Sequence, residues 1–578
     1  MSDDQGWGDF SITGNTNIET PHIDSLAHSG AQFENFYVAP VSSPTRAELL
    51  TGRYHPHSNV YGTSEGGERM DLDETTIAEI FQSAGYETGV FGKWHNGMQH
   101  PYHPNARGFD EFYGFASGHW GHYFSPMLEH NGRLVQGDGY ITNDLTEKAM
   151  QFMEKNRNKP FFLYVPYNTP HNPLQVPDRW WDKFEDKSLN MRHRDPEKEN
   201  LRFTKAVLAI CENIDWNVGR LMGKVDKLGL KSNTIVVYLG DNGPQSWRWN
   251  GGMKGRKGST DEGGIRSPLF ISWHNVIPQK TKVDKIAGVI DLLPTLTDLA
   301  GIRAETNKPV EGVSLEPLLF HNENSQEEIK ALRGETGLRL DNILSDNEDL
   351  WKDRLLFSYW RGSASVRSQK YRLDDEGKLY NITKDRGQYY DISEENPAIA
   401  NRLEDTLRKW EEAMTEEINK NSRLFPIGHP DFKYTQLPAR DGEAHGNIVR
   451  SRRSPNCSFY TNWKETADKI TWDVEVLSEG DYQVDIYYTC PEKDLGSTIE
   501  LSFASSELTG KINQAHDPSL HGKERIDRWE YYVKTFMPMD MGTIHLEEGK
   551  GTLTLKARNI PGDQAMDFRL LMFKSVDN

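Results

Sequence analysis

Three short apolar runs in this chain end the same way, and that repetition constrains the fold more than any other feature. Thr234–Leu239 is a β-branched run that empties into Gly240-Asp241-Asn242-Gly243. Phe161–Val165 runs into Asn168-Thr169-Pro170-His171, and Thr88–Phe91 into Gly92-Lys93-Trp94-His95. Runs of this length read as buried strands. Leu208, Cys211, Ile214, Val218, Leu221, Met222, Val225 and Leu228 recur at three- and four-residue spacing, which predicts a helix ending near Gly229. Helical and strand periods alternate from 75 to 300, so the expected class is α/β, a large mixed sheet sandwiched by helices. In open sheets of this class ligands sit outside the carboxyl ends of the strands. The polar clusters at these three strand ends should therefore converge.

A fourth segment sets a hydroxyl beside a helix start. In Ser42-Ser43-Pro44-Thr45-Arg46-Ala47-Glu48-Leu49-Leu50-Thr51-Gly52-Arg53, Ser43 reads as an N-cap, Pro44 as the first helical residue and Gly52 as the C-terminal stop. The helix then begins beside Ser42. Its free N–H groups and dipole, with the Arg46 guanidinium one turn in, can hold a sulfate or phosphate against a hydroxyl.

With 578 residues the chain exceeds one core and calls for at least two domains. A net charge of −19 with no basic stripe argues against a nucleic-acid partner. Cys211, Cys457 and Cys490 lack the spacing of a disulfide framework or a zinc site. No apolar run is long enough to span a membrane.

The Ser42–Arg53 run resembles the signature of type I, formylglycine-dependent sulfatases of the alkaline phosphatase superfamily, as do Asp3-Asp4-Gln5-Gly6-Trp7-Gly8-Asp9 and the Gly240–Gly243 loop. Within that family it resembles polysaccharide sulfatases of marine or gut bacteria. The resemblance implies that residue 42 is oxidised to formylglycine by a maturase, and that Asp3, Asp4, Asp241 and Asn242 hold Ca²⁺, a hard ion suited to an oxygen-only site. Arg46 and Lys93 would neutralise the nucleophile and sulfate oxygens, and His95 would contact the formylglycine hydroxyl. His171 and Lys254 would flank the leaving oxygen, and Asp241 would accept the nucleophile's proton. The implied reaction is hydrolysis of sulfate esters through a sulfo-enzyme intermediate.

Around this pocket, Trp94, His100, His103, His119, Trp120, His122, Tyr123, Trp247, Arg248 and Trp249 offer faces for sugar rings and donors for anionic groups. They favour a sulfated polysaccharide or oligosaccharide, with algal glycans the commoner targets of such architectures. By resemblance the enzyme is periplasmic or secreted. Sulfatases lead into their Asp-Asp pair from an apolar strand, so an upstream strand and signal peptide are expected before Met1. Serine at 42 is a natural formylglycine precursor, and it is also what replacement of a cysteine would leave in an inactive, substrate-trapping form. A phosphatase or phosphonate hydrolase of the same superfamily, using Ser42 directly, is the other open reading.

Four segments are expected: a catalytic domain over 1–345, a small α+β subdomain over 346–418, a connector over 419–446, and an all-β sandwich over 447–578. Ile470–Val476, Gly480–Tyr488, Thr498–Phe503, Trp529–Phe536, Gly542–Leu546, Gly551–Ala557 and Phe568–Phe573 read as the strands of that sandwich. Glycan binding and structural support are both open for it.

Overall fold

The structure is a computed structural model that describes residues 1–320, 351–418, 423–528 and 532–576. Two mixed sheets carry the catalytic region. One runs in the order Ile235–Leu239, Arg266–Trp273, Ala31–Tyr37, Thr281–Gly288, and the other Arg133–Gln136, Met127–His130, Glu111–Phe115, Glu87–Lys93, Phe161–Tyr164. The first residues of the chain stitch them together: Ser2 pairs with Gly240 and Asp3 with Pro170, both parallel. Ser2 N–H donates to Leu239 O and Asp3 N–H to Thr169 O. Beyond this stitch, strands Phe161–Tyr164 and Ile235–Leu239 line a cavity of about 740 Å³.

Period-two alternation sorts the apolar side chains to the two faces. Val90, Leu239, Leu269 and Ile271 join one core with Leu50, Ile77 and Leu293. Their neighbours Phe91, Tyr238 and Phe270 join the other, against the long helices Ile141–Lys155 and Leu201–Lys227. The second of these ends just before Gly229, whose φ is +73°.

The helix at the nucleophile spans Ser42–Thr51 and is buried along its whole length. It starts two residues earlier than its sequence predicts: Val41 is the N-cap, and Ser43 Oγ donates to Gly62 O instead of capping. Gly52 ends it at φ +67°, where an added Cβ would stand 2.9 Å from Val310 Cγ1.

Downstream, strands Leu356–Trp360, Ser363–Arg367, Tyr371–Leu373 and Leu379–Asn381 form a four-stranded sheet. Helix Pro397–Glu417 packs on it through Ala400, Leu403 and Leu407. Two six-stranded sheets then enclose the sandwich core, which includes Trp463, Trp472, Ile486, Leu555 and Phe568.

Two sequence expectations differ from this, and one strand had no expectation. The segment read as a connector begins the sandwich, since Phe425–Ile427 pairs with Lys469–Val476 and Tyr434–Pro438 with Asp567–Ser575; its Pro and Gly residues punctuate short strands. Trp529–Phe536 is not one strand: Trp529–Tyr531 lies outside the described residues, and pairing begins at Met537. Strand Ser506–Lys511, with alternating half-exposed and exposed residues, gave too weak an apolar signal to be read.

Candidate active site

Residues 3, 4, 42, 46, 93, 171, 241 and 242 meet at the carboxyl ends of the sheets. Ser42 Oγ donates to Asp3 Oδ1 at 2.9 Å and lies 3.4 Å from Asn242 Oδ1. Lys93 Nζ donates to Ser42 Oγ at 3.2 Å and to Asp3 Oδ2 at 2.8 Å. Arg46 donates to Asp241 Oδ2 at 3.0 Å and to Lys93 O at 2.8 Å, which ties the nucleophile helix to the neighbouring strand end. Asp241 Oδ1 accepts from Asp4 N–H at 3.0 Å. The hydroxyl of residue 42 thus meets Asp3, while the oxygens of Asp241 are engaged by Asp4 and Arg46.

The lysine beside this cluster is Lys257, which sequence reasoning missed. Its Nζ donates to Asp4 Oδ1 at 2.6 Å. Lys254, three residues earlier, pairs instead with Asp374 at 3.1 Å and Asp261 at 3.2 Å. Both belong to Lys254-Gly255-Arg256-Lys257-Gly258, and tight glycine turns at 255 and 258, φ +85° and +86°, separate their directions. The repeated Lys-Gly gave no way to choose between them.

The cluster sets three carboxylates against Arg46, Lys93 and Lys257. Burial alone would raise the Asp3 carboxyl, but Lys93 and His171 outweigh it and hold it below the ordinary value. Asp4 is likewise held down, by Lys257 and His171 against the effect of burial. Burial lowers Lys93, while Asp4 and Asp3 overcome burial to raise Lys257.

Asp4 Oδ2 is buried and has no hydrogen-bond partner among the described residues, with His171 Nε2 at 3.7 Å. Ligand atoms of Asp3, Asp4 and Asp241 lie within 4.8 Å of one another. An orphaned carboxylate oxygen in an all-oxygen donor set fits a hard divalent cation such as Ca²⁺.

Two histidine-bearing loops flank the cluster. His171 Nδ1 donates to Asn172 O at 3.0 Å, so Nε2 is the nitrogen left to exchange a proton on the site side. Tyr123 OH fixes that loop by donating to His171 O at 2.9 Å and Asn172 O at 2.8 Å. His119 Nδ1 meets His171 Nδ1 at 3.1 Å, and burial with the neighbouring His171 holds His119 well below its ordinary pKa. His95, at φ +70°, is also held well down, by burial and by Lys93. Its Nε2 contacts Thr63 O at 2.9 Å, and its ring lies so close to Gly118 that an added Cβ there would stand 2.1 Å from Nε2.

The remaining predicted substrate contacts separate. Trp94 is fully buried, donates to Tyr102 O and packs on Phe109, so it belongs to the core. His100 and His103 stack on each other beneath Phe432 of the sandwich, and His103 pairs with Glu129 at 2.6 Å. Arg248 is buried on Asp9 and donates to Asp4 O at 2.7 Å, which places it behind the site. Trp120 stacks on Phe115, and Trp249 lies beside Trp7. His122 and Trp247 stay partly exposed, the first stacked on His521 and the second flanked by Arg256 and Lys198.

Comparison with known proteins decides among the anion-handling families that such a cluster could serve. The sulfatase family profile matches residues 1–302, more than half of the 578 residues. The chain belongs to the sulfatase family. As a sulfatase it is a sulfuric ester hydrolase of the alkaline phosphatase superfamily. It is 29% identical to mouse (Mus musculus) N-acetylgalactosamine-6-sulfatase over 372 residues, 58% of this chain and 68% of that one. The solved structure of Ps i-CgsB in complex with k-i-k-neocarrahexaose matches with TM-score 0.61 and 31% identity, covering 71% of this chain and 91% of that one. PsFucS1 sulfatase from Pseudoalteromonas sp. shares the fold, with TM-score 0.56 and 19% identity over 73% and 90% of the two chains. Among the described residues no helix is long and apolar enough to cross a membrane.

Proposed function

We propose that this sulfatase removes sulfate from a sulfated polysaccharide or oligosaccharide of the algal type, with residue 42, matured to formylglycine, as its nucleophile. The observation that carries the reading is Ser42 Oγ at a helix N-terminus, within hydrogen-bond reach of both Lys93 Nζ and Asp3 Oδ1. The carbohydrate class draws on the 31% identity to a protein solved with an oligosaccharide, k-i-k-neocarrahexaose. Such a substrate places the enzyme in the periplasm or outside the cell, after a maturase has acted on residue 42.

The residues divide the work by position. Lys93 and Arg46 hold positive charge against the nucleophile and the sulfate oxygens, and helix Ser42–Thr51 adds its N–H groups. Asp3 Oδ1 takes the hydrogen bond of the attacking hydroxyl. His171 Nε2, beside Asp4, and Lys257 stand where the leaving oxygen gains charge, and one of them delivers its proton. His95 serves as base for the second hydroxyl. Formylglycine hydrate supplies two hydroxyls on one carbon, so that attack and release use different oxygens. Asp3, Asp4, Asp241 and Asn242 would hold Ca²⁺, which supplies Lewis-acid charge for the sulfate oxygens. His122 and Trp247 are proposed as sugar contacts.

The test is release of inorganic sulfate from carrageenan-type oligosaccharides by protein made with a maturase, alongside mass spectrometry of the peptide carrying residue 42. Conversion of residue 42 with sulfate release supports the reading. An unmodified serine that releases phosphate from phosphate esters at comparable rates would replace it with the superfamily's phosphatase chemistry.

A further inference from the structure

The sandwich reaches the two histidine loops of the active site through two consecutive residues, Asn456 and Cys457. Asn456 Nδ2 donates to Thr63 O at 3.3 Å, the same carbonyl that His95 Nε2 contacts at 2.9 Å. Cys457 Sγ donates to His119 O at 2.8 Å, and the His119 ring meets His171. Ser117 Oγ donates to the same His119 carbonyl at 2.9 Å.

The orientation of the Asn456 amide is fixed from behind. Arg440 Nη1 donates to Asn456 Oδ1 at 2.8 Å, and a guanidinium offers only donors, so the amide oxygen must face Arg440 and the NH₂ must face Thr63. Arg440 is itself buried and anchored in both regions, by Asp441 of the sandwich at 2.8 Å and by Glu68 of the catalytic region. The Thr63 carbonyl can only accept, so the proton on His95 sits at Nε2. Nδ1 is then the bare nitrogen. It is buried and has no hydrogen-bond partner among the described residues, as a base waiting for the proton of the second hydroxyl of residue 42 would be.

We infer that Asn456 is a positioning residue for the hydrolytic reaction: with Arg440 it holds the Thr63 carbonyl against His95 and so fixes the tautomer that presents Nδ1 as base. The inference rests on the role of His95 in the proposed function. It gives the sandwich a part in catalysis that requires no glycan binding of its own.

Two substitutions separate positioning from bulk support. Asn456→Asp keeps the oxygen that Arg440 needs but turns a second oxygen toward the Thr63 carbonyl, whereas Asn456→Ala removes both contacts. Lys493→Ala breaks an exposed ion pair with Asp563 elsewhere in the sandwich and serves as the control. In the matured enzyme, Asn456→Asp should lower kcat about tenfold or more, with KM within about twofold of wild type and the unfolding midpoint retained. Asn456→Ala should fall less than Asn456→Asp, because water can donate to Thr63 in the space it opens. Lys493→Ala should match wild type. Independently of activity, ¹⁵N-histidine spectra, with His95 assigned by its loss in His95→Gln, should show protonated Nε2 and bare Nδ1. A protonated Nδ1 in wild type, or an Asn456→Asp enzyme with wild-type kcat, overturns the proposal. So does a loss of activity that merely follows a loss of folded protein. A wild-type enzyme that releases no sulfate counts instead against the proposed function, and the histidine spectrum still decides the tautomer.

Discussion

Two buried ionic clusters of the catalytic region, one around Glu262 and one at the nucleophile, are built to opposite rules. Around Glu262, one carboxylate faces Arg266 at 3.1 Å, Arg372 at 3.1 Å and Arg367 at 3.5 Å, while Tyr37 OH donates to both of its oxygens. Every oxygen is satisfied. Because Arg367 and Arg372 come from the small four-stranded sheet, the cluster fastens that sheet to the catalytic core. At the nucleophile, three carboxylates and three cations share a similar depth, yet Asp4 Oδ2 has no hydrogen bond among the described residues and a hydroxyl points at Asp3. A buried carboxylate with both oxygens bonded serves structure. One left with an unmade bond is ready for a ligand.

The largest expected effect tests the reactive side of that contrast. Ser42→Ala should cut sulfate release by on the order of 10³-fold or more, because no other group on the helix N-terminus can replace the nucleophile. Its unfolding midpoint should stay close to wild type. The structural cluster should behave in reverse: Glu262→Ala strands three arginines and should cost about 3–5 kcal/mol of stability, read as a lowered denaturant midpoint. Asp4→Asn, by comparison, should abolish the thermal stabilisation that added Ca²⁺ gives the wild type and should leave the midpoint in chelator less changed than Glu262→Ala does. If Ca²⁺ stabilises Asp4→Asn as well as wild type, the two clusters do not differ in the way described.

Lys254 and Lys257 repeat the contrast within four residues. Lys257→Met should lower kcat about 10²-fold, whereas Lys254→Met, which loses pairs to Asp261 and Asp374 and no contact with the carboxylate cluster, should stay within about threefold. Steady-state sulfate release from the two variants settles the assignment.

The difference between these lysines also marks what sequence could convey. The strand-end loops were legible because short β-branched runs with turn residues after them have few alternatives, and topology then brings Lys93, His171, Asp241 and Asn242 together. Gly52 was legible as a helix stop for the same kind of local reason. Lys257 was not, since the direction of a side chain in a glycine-rich loop depends on φ values that spacing does not encode. Trp94, His100, His103 and Arg248 looked like sugar contacts because aromatic and cationic residues serve cores and interfaces equally well. Their partners Phe109, Phe432, Glu129 and Asp9 lie far away in sequence or belong to other elements, so burial could not be read locally. The contacts of Asn456 and Cys457 with Thr63 and His119 are longer-range still, and no motif announces them.

The smallest effect expected is in the pH dependence of stability. Burial alone would raise Glu262, but Arg372, Arg367 and Arg266 outweigh it and hold its pKa below the ordinary value of 4.5. A depressed carboxylate contributes stability that is fully present above its unfolded pKa and is lost as pH falls through its folded pKa. The wild type should therefore lose this contribution on acidification below about 4.5, with a slope of up to about one proton, or about 1.4 kcal/mol per pH unit. Glu262→Gln, already less stable at neutral pH, has no such proton to take up, and its stability should fall less steeply over the same range. Asp3 and Asp4 titrate in both proteins, so the difference between the two slopes isolates Glu262. Parallel slopes would mean that the arginines do not hold the Glu262 carboxylate as their geometry implies, and the distinction between a satisfied and an unsatisfied carboxylate would lose its electrostatic basis.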